Sequence, residues 1–326
     1  MGQKREYGFD NLRGILILMV VLGHLLENCG SFPGAGFLYR TIYSFHMPAF
    51  LFLTGYFARY DRTKIIRGLL IPYILFQTAY LLFDRWLYGT ETALQYTTPY
   101  WILWYLVASI LYHLLLPMYE AANRRQQLLA LGITFGLSLM AGFDATVGYP
   151  LSLSRFLVFQ PWFLLGYYCR NGNWIPETEA WCAGRKIPVK LPLTAGVYLG
   201  VAGMHWLAIR PEVLYGSYPY AQLNYGPAER LFVGATAFCW IGFGCLVLLP
   251  MLQRRMPVLT ALGQNTLPVY LLHGFAVRYI WHRLPGLLAT PLRVLLVTVL
   301  ILAALGNPLM GGAFRNLFSG RWLSKE

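Results

Sequence analysis

Charge is scarce in this chain: Asp, Glu, Lys and Arg make up 12% of its 326 residues, about half the ~25% of a soluble globular domain. The alternation of polar and apolar residues that builds a membrane β-barrel is missing, and no internal repeat is visible. The five cysteines, Cys29, Cys169, Cys182, Cys239 and Cys245, form no CxxC pair and no regular spacing, so neither a disulfide framework nor a zinc site is signalled. The first apolar run is interrupted by Arg13 and followed by no Ala-x-Ala site, which reads as an uncleaved span rather than a secretory signal. Glu27 and Asn28 are too large for a lipoprotein cleavage box ahead of Cys29, and Glu6 stands where a myristoylation signal needs Ser or Thr.

What is abundant is apolar residue, 57% of the chain, gathered into long runs. The expected fold class is all-α: a polytopic membrane helix bundle in a single domain over 1–326. Ten stretches approach the ~20 apolar residues that a bilayer core requires: 10–28, 37–58, 66–86, 100–118, 127–143, 153–170, 190–209, 229–250, 264–282 and 290–308. The net charge of +13 comes from basic residues in short segments between those runs, where they set orientation. No basic stripe is interleaved with aromatics, so nucleic acid is not an expected partner.

With the N-terminus inside, most of the 26 Lys and Arg residues fall on the cytoplasmic side. They include Lys4, Arg5 and Arg13; Arg59, Arg62, Lys64 and Arg67; Arg124 and Arg125; Arg170, Arg185, Lys186 and Lys190; Arg254 and Arg255; Arg315, Arg321 and Lys325. This bias predicts ten spans with both termini cytoplasmic. The stretch 171–188 is then the longest inner loop. The stretch 210–227, rich in Tyr and Pro, is an outer loop that suits either a sugar surface or an interfacial aromatic belt.

Ionisable groups inside apolar runs cost about 2.5–3.5 kcal/mol on insertion scales and so begin as functional candidates. In the first run Arg13 and His24 are eleven residues apart, which places them on one helical stripe about 16 Å apart along the axis. Asp10 and Glu27 extend that stripe by a turn at either end. Arg13 reads as a site residue or as a snorkelling anchor, and His24 as a catalytic group or a buried histidine bonded to a neighbouring helix. Glu27 is placed to orient the His24 imidazole, as a general base requires. Asp10 either pairs with Arg13 or caps the helix.

His46 and His273 lie at a depth comparable to His24. Three histidines at one depth raise the question of a metal, but no HxxxH or similar ligand spacing is present, and a polar reaction chamber without metal is the better reading. Pro48 frees a backbone carbonyl beside His46 and lets that helix bend. On the inner side, Lys64 and Arg67 lie in a basic cluster that either holds the phosphates of a nucleotide-like donor or anchors the helix. On the outer side, Trp104 and Tyr105 sit at a helix entrance where a belt explains them. Arg155 is harder to dismiss, because it follows an uncharged loop and precedes an apolar run.

Five segments together resemble the acyltransferase 3 family of membrane proteins, especially its fucose 4-O-acetylase-like branch. They are "FDNLRGILILMVVLGH" with Arg13 and His24 in the family's Arg-x10-His pattern, "FHMPAFLFLTGYF", "RGLLIPY", "SRFLVFQPWFLLGYY" and "LGQNTLPVYLLH". The resemblance covers the whole chain. It departs at Pro161-Trp162-Phe163, where the branch often has Pro-Phe-Phe, and at Lys64 and Arg67, which stand for an Arg-x-x-Arg pair.

The resemblance implies a ten-helix bundle in a bacterial inner membrane. It implies transfer of an acyl group, usually acetyl, from cytoplasmic acyl-CoA to a hydroxyl of an extracytoplasmic carbohydrate or glycoconjugate. It makes His24 the central catalytic group and Arg13 its motif partner, with acetyl-CoA as co-substrate. In that scheme Arg13, Lys64 and Arg67 hold the donor, and Glu27 or His46 orients His24. His46, Trp104, Arg155 and His273 are the acceptor-side residues. Membrane lipids and polysaccharide-biosynthesis proteins are the further partners. His24 acts either as general base or as a nucleophile that carries the acyl group. The rival readings are a transporter or flippase for a lipid-linked sugar, which often shows internal repeats, and a non-catalytic subunit, which needs no charged stripe.

Overall fold

The computed structural model describes residues 7–29, 32–89, 91, 93–120, 123–184 and 188–318. Lys4, Arg5, Glu6, Arg185, Lys186, Arg321 and Lys325, used above to read targeting and orientation, lie outside the described residues. Among the described residues every regular element is helical and none is a strand. All ten expected stretches contain helix.

Among the described residues, four helices are individually long and apolar enough to cross a membrane: Tyr7–Glu27, Arg62–Tyr88, Trp101–Tyr119 and Pro227–Met251. A fifth results if Pro291–Leu305 and Pro308–Phe318, bent by 51° at their junction, act together. Two other stretches are shorter pieces because proline divides them. The 37–58 stretch splits into Ala35–Tyr43 and His46–Tyr56, with Pro48 the third residue of the second piece. A proline ring clashes with the carbonyl four residues earlier and offers no N–H to it. That carbonyl belongs to Ser44, where the helix is broken rather than merely bent. The same device recurs at Pro268, whose clash falls on Gln264, the last residue of Pro257–Gln264; the chain restarts as Thr266–Arg283. The ninth helical stretch therefore begins earlier than 264 and is interrupted.

Two other prolines are absorbed without a break. Wide π-turns at Ile66–Leu70 and Gly244–Leu248 immediately precede Pro72 and Pro250, letting the ladder pass over the missing donor. The segment expected as the longest inner loop holds a helix, Trp174–Gly184. Pro176 and Glu177 in its first turn are helix-start residues.

The chain forms two compact units, one of Met1–Ile42, Ile71–Tyr96 and Leu248–Glu326, the other of Tyr43–Leu70 and Thr97–Val247. In the first unit, Tyr7–Glu27 crosses Pro257–Gln264 at backbone contact. A Cβ on Gly14 would collide with the Leu259 carbonyl, and one on Gly263 with the Asp10 carbonyl. Asn11, fully buried, locks this crossing. Its Nδ2 donates to the carbonyls of Leu252 and Arg254, both at 2.8 Å, and its Oδ1 accepts from Thr260 Oγ1 at 2.7 Å.

In the second unit, His46–Tyr56 lies on Leu153–Asn171 in a reciprocal glycine crossing. Gly55 faces the Phe163 carbonyl and Gly166 the Phe52 carbonyl, each too close for a Cβ. Tyr112 reinforces the second unit by donating its hydroxyl to the Phe156 carbonyl at 2.7 Å.

Candidate active site

In the first unit, the last turn of Tyr7–Glu27 carries His24 and Glu27 one turn apart. His24 Nδ1 lies 3.3 Å from Glu27 Oε2. The carboxylate accepts, so Nδ1 carries the proton and Nε2 is the nitrogen with the lone pair. His273, from Thr266–Arg283, is completely buried. Its Nδ1 lies 2.9 Å from the carbonyls of both Val269 and Tyr270. Carbonyls only accept, so here too Nδ1–H donates and Nε2 keeps its lone pair. Nε2 of His273 is buried and has no hydrogen-bond partner among the described residues. The two imidazoles stack, with ring centroids 5.4 Å apart and 25° between their planes. The structure thus brings His24, Glu27 and His273 together.

At the other end of the stripe, Arg13 Nη1 stands 3.8 Å from Asp10 Oδ1. The pairing of Asp10 with Arg13 is thus present. Its second oxygen accepts from Gln264 Nε2 at 3.0 Å, so Asp10 and Arg13 are tethered to the crossing helix. The first unit also holds an ion pair absent from the sequence reading, Arg278 Nη2 to Asp84 Oδ2 at 3.0 Å, with Arg278 5.0 Å from the Tyr88 ring centroid. Its signal was present, since both residues are ionisable groups within apolar runs.

The remaining candidates belong to the second unit. His46 is buried at the start of its helix, edge-on to Tyr43 with centroids 4.8 Å apart. Arg155 and Trp104 are brought together: the guanidinium lies 5.1 Å from the ring centroids of Trp104 and of Tyr149. The loop 210–227 completes this setting. Arg155 Nε donates to the Tyr215 carbonyl at 3.2 Å, and Nη2 to Tyr149 OH at 3.2 Å and Ser217 Oγ at 3.5 Å. In the same loop, burial pushes the phenols of Tyr220 and Tyr225 up, and the charge of Arg230 opposes that rise.

Lys64 is exposed and Arg67 half-buried. Lys64 belongs to the short helix Arg62–Ile65, capped by Asp61, whose Oδ1 accepts from the Lys64 backbone N–H at 3.1 Å. The π-turn that holds Arg67 is the one Pro72 requires. Among the described residues, no group of three or more His, Cys, Asp and Glu is arranged to hold a metal ion.

Set beside known proteins, the chain matches the acyltransferase 3 family, described as an acyltransferase domain, over residues 6–305. The nodulation protein NolL of Sinorhizobium fredii is 31% identical over 189 residues, covering 50% of this chain and 48% of that protein. The match therefore spans about half the length of this curated relative. No solved structure matches.

Proposed function

The chain belongs to the acyltransferase 3 family, and we propose on that footing that it is a membrane-bound O-acyltransferase. The acyl group is acetyl, the donor is acetyl-CoA at the cytoplasmic face, and the acceptor is a hydroxyl of an extracytoplasmic carbohydrate or glycoconjugate. The observation that carries this reading is the His24–Glu27 pair at 3.3 Å with the His273 ring stacked on it. A carboxylate on Nδ1 fixes the tautomer that presents Nε2 as a base, the arrangement that activates hydroxyl nucleophiles elsewhere.

His24 Nε2 takes the proton of the acceptor hydroxyl as its oxygen bonds to the thioester carbonyl carbon. The C–S bond breaks, and the departing CoA thiolate recovers the proton from the imidazolium. Glu27 stabilises that imidazolium while it exists. In the nucleophilic variant of the same site, Nε2 itself takes the acetyl group, releases CoA, and yields the acetyl to the hydroxyl in a second step. His273, by its stack, is a positioning residue for the His24 ring.

Arg13 acts as the motif partner of His24 and as a donor contact, steadied by Asp10. Lys64 and Arg67 are contacts for the CoA phosphates, and the exposure of Lys64 suits that role. His46, Trp104 and Arg155 are acceptor contacts, since an aromatic face beside a guanidinium suits a sugar ring and its substituents. The bundle has ten spans, both termini cytoplasmic, and lies in a bacterial inner membrane beside polysaccharide-biosynthesis proteins.

The test uses membrane vesicles carrying the chain, supplied with acetyl-CoA labelled in the acetyl group. The reading expects alkali-labile label in the carbohydrate fraction that is absent from vesicles without the chain. Label that stays on CoA in both preparations contradicts it.

A further inference from the structure

Beside the loop 210–227, the second unit holds a partly open cavity of about 380 Å³, within the ~300–1,000 Å³ range of small-molecule sites. Its wall is mainly apolar, with Pro48, Phe135, Trp162, Leu231 and Phe238 contributing to it. The cavity lies within one unit and involves none of the residues assigned above to acyl transfer.

One charged side chain lines it. Arg230 is only 7% exposed. Its Nη2 donates to Tyr225 OH at 2.5 Å, and its guanidinium stands 5.6 Å from the ring centroids of Tyr220 and Tyr225. Nε and Nη1 are buried and have no hydrogen-bond partner among the described residues. The adjacent carboxylate does not neutralise it: Glu229 Oε2 turns back to accept from the Gly226 backbone N–H at 2.9 Å. A buried charge without a counter-charge is costly and is kept where something pairs with it. Two unused donors on a cation call for an anion, and phosphate oxygens suit them. The rest of the wall calls for hydrocarbon. A free acidic sugar meets the first requirement and fails the second.

We propose that this cavity binds the phosphate end of a long-chain lipid phosphate, with the phosphate on Arg230 and the adjoining chain among the apolar residues, so that the acceptor sugar arrives on a lipid carrier. The inference rests on the acyltransferase reading for the sugar, while the lipid site itself stands on the cavity and Arg230.

The experiment measures binding of labelled undecaprenyl phosphate to the full-length protein in nanodiscs. The competitors are undecaprenol, phosphatidylglycerol and glucuronic acid. Arg230→Gln removes the charge. Gly234→Leu fills the space, since Gly234 lines the cavity and a Cβ there would stand 4.0 Å from Trp162 Cζ2, in ordinary van der Waals contact. Saturable binding is expected, weakened at least about tenfold in each variant, with undecaprenol and glucuronic acid failing to compete.

Equal competition by phosphatidylglycerol marks the site as one for bulk membrane lipid and overturns the proposal. Equal competition by undecaprenol or by glucuronic acid overturns it as well, and so does undiminished binding in Gly234→Leu. Thermal unfolding is read alongside; if Arg230→Gln fails to fold, Gly234→Leu carries the test alone. His24→Ala is expected to bind the lipid like the parent. A parent protein that turns over acetyl-CoA without binding the lipid overturns this inference only, and one that binds the lipid but never releases CoA overturns the acyltransferase reading only.

Discussion

The imidazoles of His24 and His273 stack at 5.4 Å, and each has its Nδ1 already committed to oxygen: His24 to the Glu27 carboxylate, His273 to backbone carbonyls. Both rings therefore present Nε2 as the basic nitrogen. A carboxylate behind one imidazole and a second imidazole against its face make a setting in which a proton can be accepted and held for the lifetime of a transition state.

Replacing Glu27 by Gln should lower kcat by about 10²-fold, the lower bound of what general-base catalysis contributes. The amide neither fixes the His24 tautomer nor stabilises the imidazolium. KM for acetyl-CoA should stay near the parent value, which steady-state kinetics on the purified protein will show. A fall in KM-linked affinity with unchanged kcat contradicts the role given to Glu27.

His273→Phe keeps an aromatic ring against His24 and removes both ring nitrogens. Thermal stability should fall by about 1–3 kcal/mol, because the exchange removes a buried donor and adds ring volume, while kcat falls and its pH profile changes shape in the molecules that fold. Full activity with an unchanged profile would reduce His273 to a packing ring.

Asn11 supports the site from behind. Asn11→Leu strands the buried Leu252 carbonyl and the Thr260 hydroxyl, at about 1–3 kcal/mol for each buried group left unpaired, and leaves the part-buried Arg254 carbonyl to solvent. The variant should show a clear fall in thermal midpoint and lower expression. A midpoint equal to the parent's contradicts the crossing described here.

Gly263→Ala drives a methyl group into the Asp10 carbonyl, a backbone atom that cannot swing aside. Overpacking of this kind costs about 1–3 kcal/mol, and because Asp10 holds Arg13, donor affinity should weaken along with stability. Thermal unfolding and KM for acetyl-CoA, measured on the same preparation, check both consequences.

Much of the first helix is legible in the sequence, because its stripe of Asp10, Arg13, His24 and Glu27 follows from local helical geometry in an apolar run. What the stripe touches is not. The pairing of His24 with His273 depends on how two helices far apart in the chain are packed, and no local pattern encodes it. Asn11 reads as an ordinary polar residue near a helix start; its function lies in a turn at Leu252–Arg254. Prolines 48 and 268 are visible, yet their effect is larger than a bend, because each falls in the first turn of a helix whose preceding carbonyl it evicts. The helix Trp174–Gly184 escapes a reading keyed to apolar runs, although Pro176 and Glu177 mark its start. Arg230 counts as one more outer basic residue until its burial beside an apolar cavity is seen.

The most direct measurement follows CoA release and acetyl transfer from labelled acetyl-CoA by purified protein in proteoliposomes, for the parent chain and for His24→Ala of matched thermal stability. The account predicts turnover in the parent and a loss of at least about 10²-fold in the variant. Turnover in His24→Ala equal to the parent's contradicts the central claim that this imidazole carries the chemistry.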